Sequence, residues 1–295
     1  MSNYILSCCS TADLSLEHLN KREIHYIGNH YSLDAKEYKD DLGQTVSNSD
    51  FYKAMVEGAE TKTSQVSTGE FVEYFGNFLE NGRDILHVSL SSGLSGSYNS
   101  ANIAKSILLE QYPDRSIYIV DSLGASSGYG FLVDKLAELR DSGMSATDLN
   151  DWANEHKLEI QHWFFSTDLT FYIKGGRISK SAGMVGSVLK VCPLLNMNDQ
   201  GKLIPKFKIR GKKKVIEAIV AQMEKYVSKG HDYKEKCYIS HSDCIDDAIA
   251  VANLVESRFP NLIGQVEINN IGTTVGSHTG PGTVALFFWG DIRID

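Results

Sequence analysis

The stretch that most constrains the fold lies between residues 85 and 108. Ile85, Leu86 and Val88 form an apolar run that reads as a buried strand. The Gly/Ser-rich stretch Ser89–Ser100 follows, and Ile103, Ala104, Ile107 and Leu108 then recur at helical spacing. Strand, turn and helix in this order place a ligand at the carboxyl end of a strand in an open α/β sheet. Gly93 and Gly96 let the backbone approach a ligand closely, and the helix N-terminus favours an anion. The same serines also suit a helix cap and a turn, so this stretch alone does not choose between a site and a cap.

The pattern repeats along the first half. Tyr4-Ile5-Leu6 reads as a short strand ending at Ser10-Thr11-Ala12-Asp13, and Ser116–Val120 as another ending at Asp121-Ser122. Phe71, Phe75, Phe78 and Leu79 mark a helix that opens on a Ser67/Glu70 capping box and stops near Gly82. Another helix passes through Phe131, Leu132, Leu136 and Leu139. Residues 20–48 read as short strands or loops, Asn48 or Ser49 as a helix cap, and Thr61–Ser67 as a second hydroxyl-rich loop. This alternation predicts a three-layer α/β domain with a mostly parallel sheet over residues 1–160.

Residues 161–295 read differently, as an α+β domain with a mixed sheet. A strand at Ile160–Phe165 is followed by a helix at Ala182–Val191, a hairpin at 193–209, and helices from Lys212 and over 244–258. Strands at Cys237–His241, Gln265–Ile271 and Thr283–Phe288 complete the pattern. Gly276-Ser277-His278-Thr279-Gly280-Pro281-Gly282 reads as a loop holding His278 at its tip.

Charge and cysteine content narrow the function. Residues 1–160 carry 12 Lys and Arg against 24 Asp and Glu, while residues 161–295 carry 17 against 13. The acidic half repels phosphates, which argues against nucleic acid as a partner. Seven bases between Lys202 and Lys214 form a basic patch, which suits a strand edge or an anionic partner. Five cysteines without C-x-x-C spacing argue against a disulfide framework or zinc site. With no apolar run long enough to span a bilayer and no signal-like start, a cytoplasmic protein is expected.

Three chemistries fit the motifs to different degrees. Ser95, Asp121 and His278 follow the order of an α/β-hydrolase triad, but Ser97 stands where the nucleophile elbow needs glycine. No dinucleotide or P-loop fingerprint is present, which argues against a self-contained dehydrogenase or kinase. Capture of a carboxylate between the Thr63 and Ser95 loops is the third reading.

Six segments in order and register carry a resemblance. They are Ser10–Asp13, Thr63–Ser67, Ser91–Ser97, Val120–Ser122, Gly176–Ser179 and Gly276–Gly282. Together they resemble the bacterial DegV family of fatty-acid-binding proteins over essentially the whole chain. The resemblance implies an acyl chain buried in the first domain, no cofactor of the chain's own, and a partner kinase subunit. That subunit holds ATP and magnesium and phosphorylates the bound acid. Transient membrane contact is compatible with these expectations. By motif, Thr63, Ser64, Ser95, Gly96 and His278 would hold the carboxylate, and Arg177, Arg210 and His278 would face the head group and the kinase. Cys9 and Val66 depart from the family pattern, which usually has an acidic residue and a proline there. About 15 buried methylenes at ~0.8 kcal/mol each give ~12 kcal/mol gross, so the tail would dominate affinity and the head group would set position. Apolar helix faces, with Phe71, Phe75, Ile103 and Ile107, are the tail-pocket candidates readable from sequence, though such faces usually form ordinary core.

Overall fold

The computed structural model describes residues 4–179, 191–262 and 266–294. The helix expected at Ala182–Val191 falls on residues 180–190, outside the described residues, and Val191 itself opens a strand.

The first sheet is parallel, in the order β2 (Ile24–Ile27), β1 (Tyr4–Cys9), β6 (Asp84–Ser89), β7 (Ile117–Asp121). Every residue of β1 is buried, as befits a strand covered on both faces. Its alternation sorts the two sides. Ile5 and Cys9 pack with Phe71 and Phe75 of helix α3 (Thr68–Leu79) and Ala104 and Leu108 of α4 (Ser97–Gln111). Leu6 and Cys8 face the opposite layer, α5 (Ser127–Asp141) and α6 (Ala146–His156). A parallel sheet between two helix layers is thus present in the N-terminal half.

The second sheet is mixed, in the order β10 (Leu203–Arg210), β9 (Val191–Met197), β8 (Ile160–Ser166), β13 (Thr283–Trp289), β11 (Cys237–His241), β12 (Val266–Asn270). Within this sheet, only the β11–β12 pair is parallel among the described strands. Trp163, Phe165, Leu286 and Phe288 pack on one face against α8 (Lys212–Tyr226) and α9 (Ile245–Arg258). The other face meets α5, where Phe131 stacks on Tyr238 with ring centroids 4.7 Å apart. Helix α5 therefore lies between the two sheets, and its apolar core is continuous with both.

Three local expectations change. Thr61–Ser64 is a strand, β5, paired antiparallel with β3 (His30–Leu33), which also pairs with β4 (Lys36–Lys39). β-branched threonines in alternation favour the pleat over a loop. The cap of α2 (Asn48–Val56) is Ser47, whose Oγ accepts from the Asp50 amide at 3.1 Å. His278 belongs to a short helix, α10 (Thr273–Thr279), which ends at Gly280 with φ of 65°. The Ser67/Glu70 capping box forms as expected.

Candidate functional site

A cavity of about 540 Å³ lies between one face of the second sheet and the loops that follow the strands of the first. Its long wall is one face of β8 and β13, where period-two alternation presents His162, Phe164, Thr283, Ala285 and Phe287. Leu90, Leu94, Ala125, Met197, Leu203 and Ile271 add apolar surface from the surrounding loops and strands.

The polar end is assembled from both halves of the chain. Thr63 on β5 and His278 on α10 meet directly, with Thr63 Oγ1 2.7 Å from His278 Nε2. Ser95 and Gly96 enter from the loop ahead of α4, Ser64 and Gln65 from the end of β5, and Arg177 from the turn after α7 (Thr170–Lys174). Gln65 donates to Ser100 Oγ at 2.9 Å and lies across Gly96 so closely that a Cβ there would sit 2.0 Å from its Oε1. Ser95 Oγ accepts from the Ser97 amide at 3.2 Å, so this serine lines the cavity and also caps a turn. Ser91 is structural: its hydroxyl donates to Gly201 O at 2.9 Å, joining the loop to the β9–β10 hairpin.

Electrostatics at this end are restrained. Burial, with the Arg177 charge second, brings the His278 pKa down to about 4, so the imidazole is neutral at pH 7. Its Nδ1 is buried and has no hydrogen-bond partner among the described residues. Arg177 donates to the carbonyls of Gly175 and Leu94, the latter at 3.0 Å. Two buried carboxylates hold the start of α10. Asp13 Oδ1 accepts from the Gly272 amide at 3.0 Å, and Asp40 Oδ2 accepts from Thr274 Oγ1 at 2.6 Å. Burial pushes both carboxyls above the usual range. The Ser10–Asp13 motif therefore bears on the site in two ways: Thr11 lines the cavity, and Asp13 fixes the helix that carries His278.

The hydrolase constellation does not assemble. His278 Nε2 bonds Thr63, its Nδ1 is unpartnered, and Asp121 Oδ1 accepts from the Ser92 and Leu123 amides at 3.1 Å each. Among the described residues, no base is thus joined to Ser95, and no acid orients His278. Arg210 lies exposed at the end of β10 and is not among the cavity residues. The sequence-derived tail candidates also lie elsewhere. Phe71 and Phe75 pack on the far face of the first sheet, and Ile103 and Ile107 are 45% and 39% exposed. Cys9 and Val66 are both fully buried, with the Cys9 carbonyl accepting from Tyr129 at 2.9 Å.

Residues that sequence reasoning missed include Gln65, Asn29, His162 and Tyr172. Gln65 adjoins the Thr63–Ser64 motif and was within reach of that signal. The others gave none, because they reach the cavity only through pairing between distant segments. Among the described residues, no group of His, Cys, Asp or Glu is placed to hold a metal ion, and no helix is long and apolar enough to cross a membrane.

The class that these features define is an α/β protein of two packed sheets with an interior cavity that is apolar along its length and polar at one end. The family model described as "Uncharacterised protein, DegV family" matches residues 9–291, and the chain belongs to the DegV family. A DegV domain-containing protein of Clostridium perfringens is 36% identical over 293 residues, covering 99% of both chains. The fold is similar to that of a stearic acid-binding protein from Eubacterium ventriosum, with a TM-score of 0.85 and 26% identity over 96% of this chain and 97% of that one. It is also similar in fold to the Streptococcus pneumoniae Fatty Acid Kinase (Fak) B3 protein loaded with linoleic acid. There the TM-score is 0.84, with 21% identity over 99% of this chain and 100% of that one.

Proposed function

We propose that this protein binds one long-chain fatty acid, with the tail along the β8–β13 face and the carboxylate at Thr63, Ser64, Ser95, Gly96 and His278. The observation that carries this reading is the pairing of an apolar cavity of about 540 Å³ with a single polar end built from hydroxyls, a neutral imidazole and one guanidinium. A carboxylate there would find donors for charge-assisted hydrogen bonds, while the methylenes would leave water. The stearic acid-binding relative supports the same ligand class.

On this reading the chain performs no bond-breaking step and needs no cofactor of its own. It presents the carboxylate to a separate kinase subunit, which brings ATP and magnesium and forms the acyl phosphate in the cytoplasm. Arg177 at the polar end, and the exposed Arg210 with its neighbouring lysines, would face that subunit. The Fak B3 likeness is the support for the kinase role.

The direct test is denaturing extraction of the purified protein followed by mass spectrometry. About one free fatty acid per chain supports the reading. Protein that yields no lipid and fails to take up added fatty acid overturns it. Acyl phosphate formed only when the kinase subunit and ATP are both added would support the second step.

A further inference from the structure

His162 is an anomaly in the tail wall. Its side chain lines the cavity, it is 3% exposed, and neither ring nitrogen has a hydrogen-bond partner among the described residues. Both nitrogens are open to the cavity, and covering them with a plain acyl chain would cost free energy that an apolar residue at the same place would avoid. The surrounding backbone nevertheless accommodates the ring. A Cβ on Gly128 would sit 2.2 Å from its Cε1, and one on Gly124 would sit 3.0 Å from the same atom. Phe287 meets it edge-on at 5.1 Å, which holds the ring in place without bonding its nitrogens. A second unpartnered acceptor, Asn29 Oδ1, belongs to the same cavity.

The position of His162 along the cavity follows from strand register. Thr283 pairs with Ser166 and Phe287 with His162, four residues further along the same two strands. At a strand rise of ~3.3 Å per residue this is about 13 Å. Thr283 marks the end nearer His278, since β13 begins four residues after α10 ends. An extended chain advances ~1.2 Å per bond, so His162 meets a ligand about ten carbons further in.

We propose that the acyl ligand carries a hydrogen-bonding group, a hydroxyl or an oxo group, near the middle of its chain, and that His162 is the residue that selects it. This rests on the fatty-acid reading above and narrows its substrate class. A neutral imidazole offers one donor and one acceptor, which a hydroxyl satisfies together and a methylene satisfies not at all. Burial holds the His162 pKa well below the usual histidine value, so the ring keeps this neutral pairing at physiological pH.

The test is competition among equimolar stearic acid and its 3-, 10- and 12-hydroxy derivatives for delipidated protein, read by extraction and mass spectrometry. The expected result is roughly tenfold enrichment of the 10- or 12-hydroxy acid over stearic acid, with the 3-hydroxy acid no better than stearic. In His162→Leu the enrichment should vanish, and in His162→Gln, which keeps a donor and an acceptor, part of it should remain. Equal capture of all four acids by the wild type, or the same enrichment in His162→Leu, overturns the selection role. Capture of none of them overturns the fatty-acid reading itself, and that result is distinct from equal capture.

Discussion

Ala285 offers the sharpest test of where the acyl tail runs. It sits on the cavity face of β13 between Thr283 and Phe287 and pairs with Phe164 on β8. Ala285→Leu adds three carbon atoms to that wall and takes about that many methylenes of space from the ligand. A long acid would then leave about three methylenes outside, at ~0.8 kcal/mol each, or roughly 2.4 kcal/mol. At 1.4 kcal/mol per decade this is about a fiftyfold loss for an 18-carbon acid. A 14-carbon acid, with room to spare, should bind nearly as before. The assay is competition between saturated acids of 14, 16 and 18 carbons, read by mass spectrometry of the extracted lipid. Thermal unfolding alongside guards against a packing defect, since overpacking costs typically 1–3 kcal/mol. A variant that melts like the wild type and keeps the same chain-length profile would show that the β8–β13 face is not the tail wall.

Thr63→Val and Ser95→Ala should each lose ~1.5–3 kcal/mol of binding if their hydroxyls donate to an ionised carboxylate. They should retain tail binding yet impair acyl phosphate formation by an added kinase subunit, and full kinase-coupled turnover in Ser95→Ala would remove it from the head-group site. Ser67→Ala should cost about 1 kcal/mol in urea denaturation through loss of the α3 capping box, with lipid content unchanged. Hydrogen bonds from His18 to Asp134 and then Glu267 raise its pKa to about 9. The folded value lies above the unfolded one, so this stabilisation is complete below about pH 6.5 and is lost as pH rises through 9. Denaturation at pH 6, 8 and 10 should show a loss on the order of 3 kcal/mol that is absent in His18→Gln, and equal alkaline slopes in the two proteins would rule the ion pair out as its source.

Local chemistry was legible where one segment determines its own structure. Ser67 and Glu70 sit three residues apart, so their capping box needs no tertiary partner. The parallel sheet was readable because strands buried on both faces give short apolar runs separated by amphipathic helices. The Thr61–Ser64 strand was hidden because its pleat is set by β3, some 30 residues upstream. His278 looked like a loop residue because the groups that hold its helix, Asp13 and Asp40, lie more than 230 residues away in sequence. The β8–β13 wall of the cavity was the least legible part. His162 and Phe287 come together only through β8–β13 pairing, and each strand alone reads as ordinary core. Helical periodicity instead drew attention to Phe71 and Ile103, whose helices cover the outer face of the first sheet.

The polar end also explains how a carboxylate could be held without being neutralised. Arg177 is the one cationic side chain among the described cavity residues, and its guanidinium already donates to two backbone carbonyls. His278 is neutral, because burial and the nearby guanidinium both oppose its protonation. A carboxylate seated against Thr63 and Ser95 would therefore be positioned mainly by hydroxyls and would keep most of its negative charge. On the proposed function this balance has a purpose. Phosphoryl transfer needs an oxygen held in line yet still electron-rich, and a bidentate ion pair would position it at the expense of nucleophilicity. Burial of the tail supplies the affinity, so the head-group contacts are free to be weak. On that proposal, the geometry that fails as a hydrolytic triad, with His278 turned to Thr63 and Asp121 turned to backbone amides, would hold a substrate for another protein's chemistry.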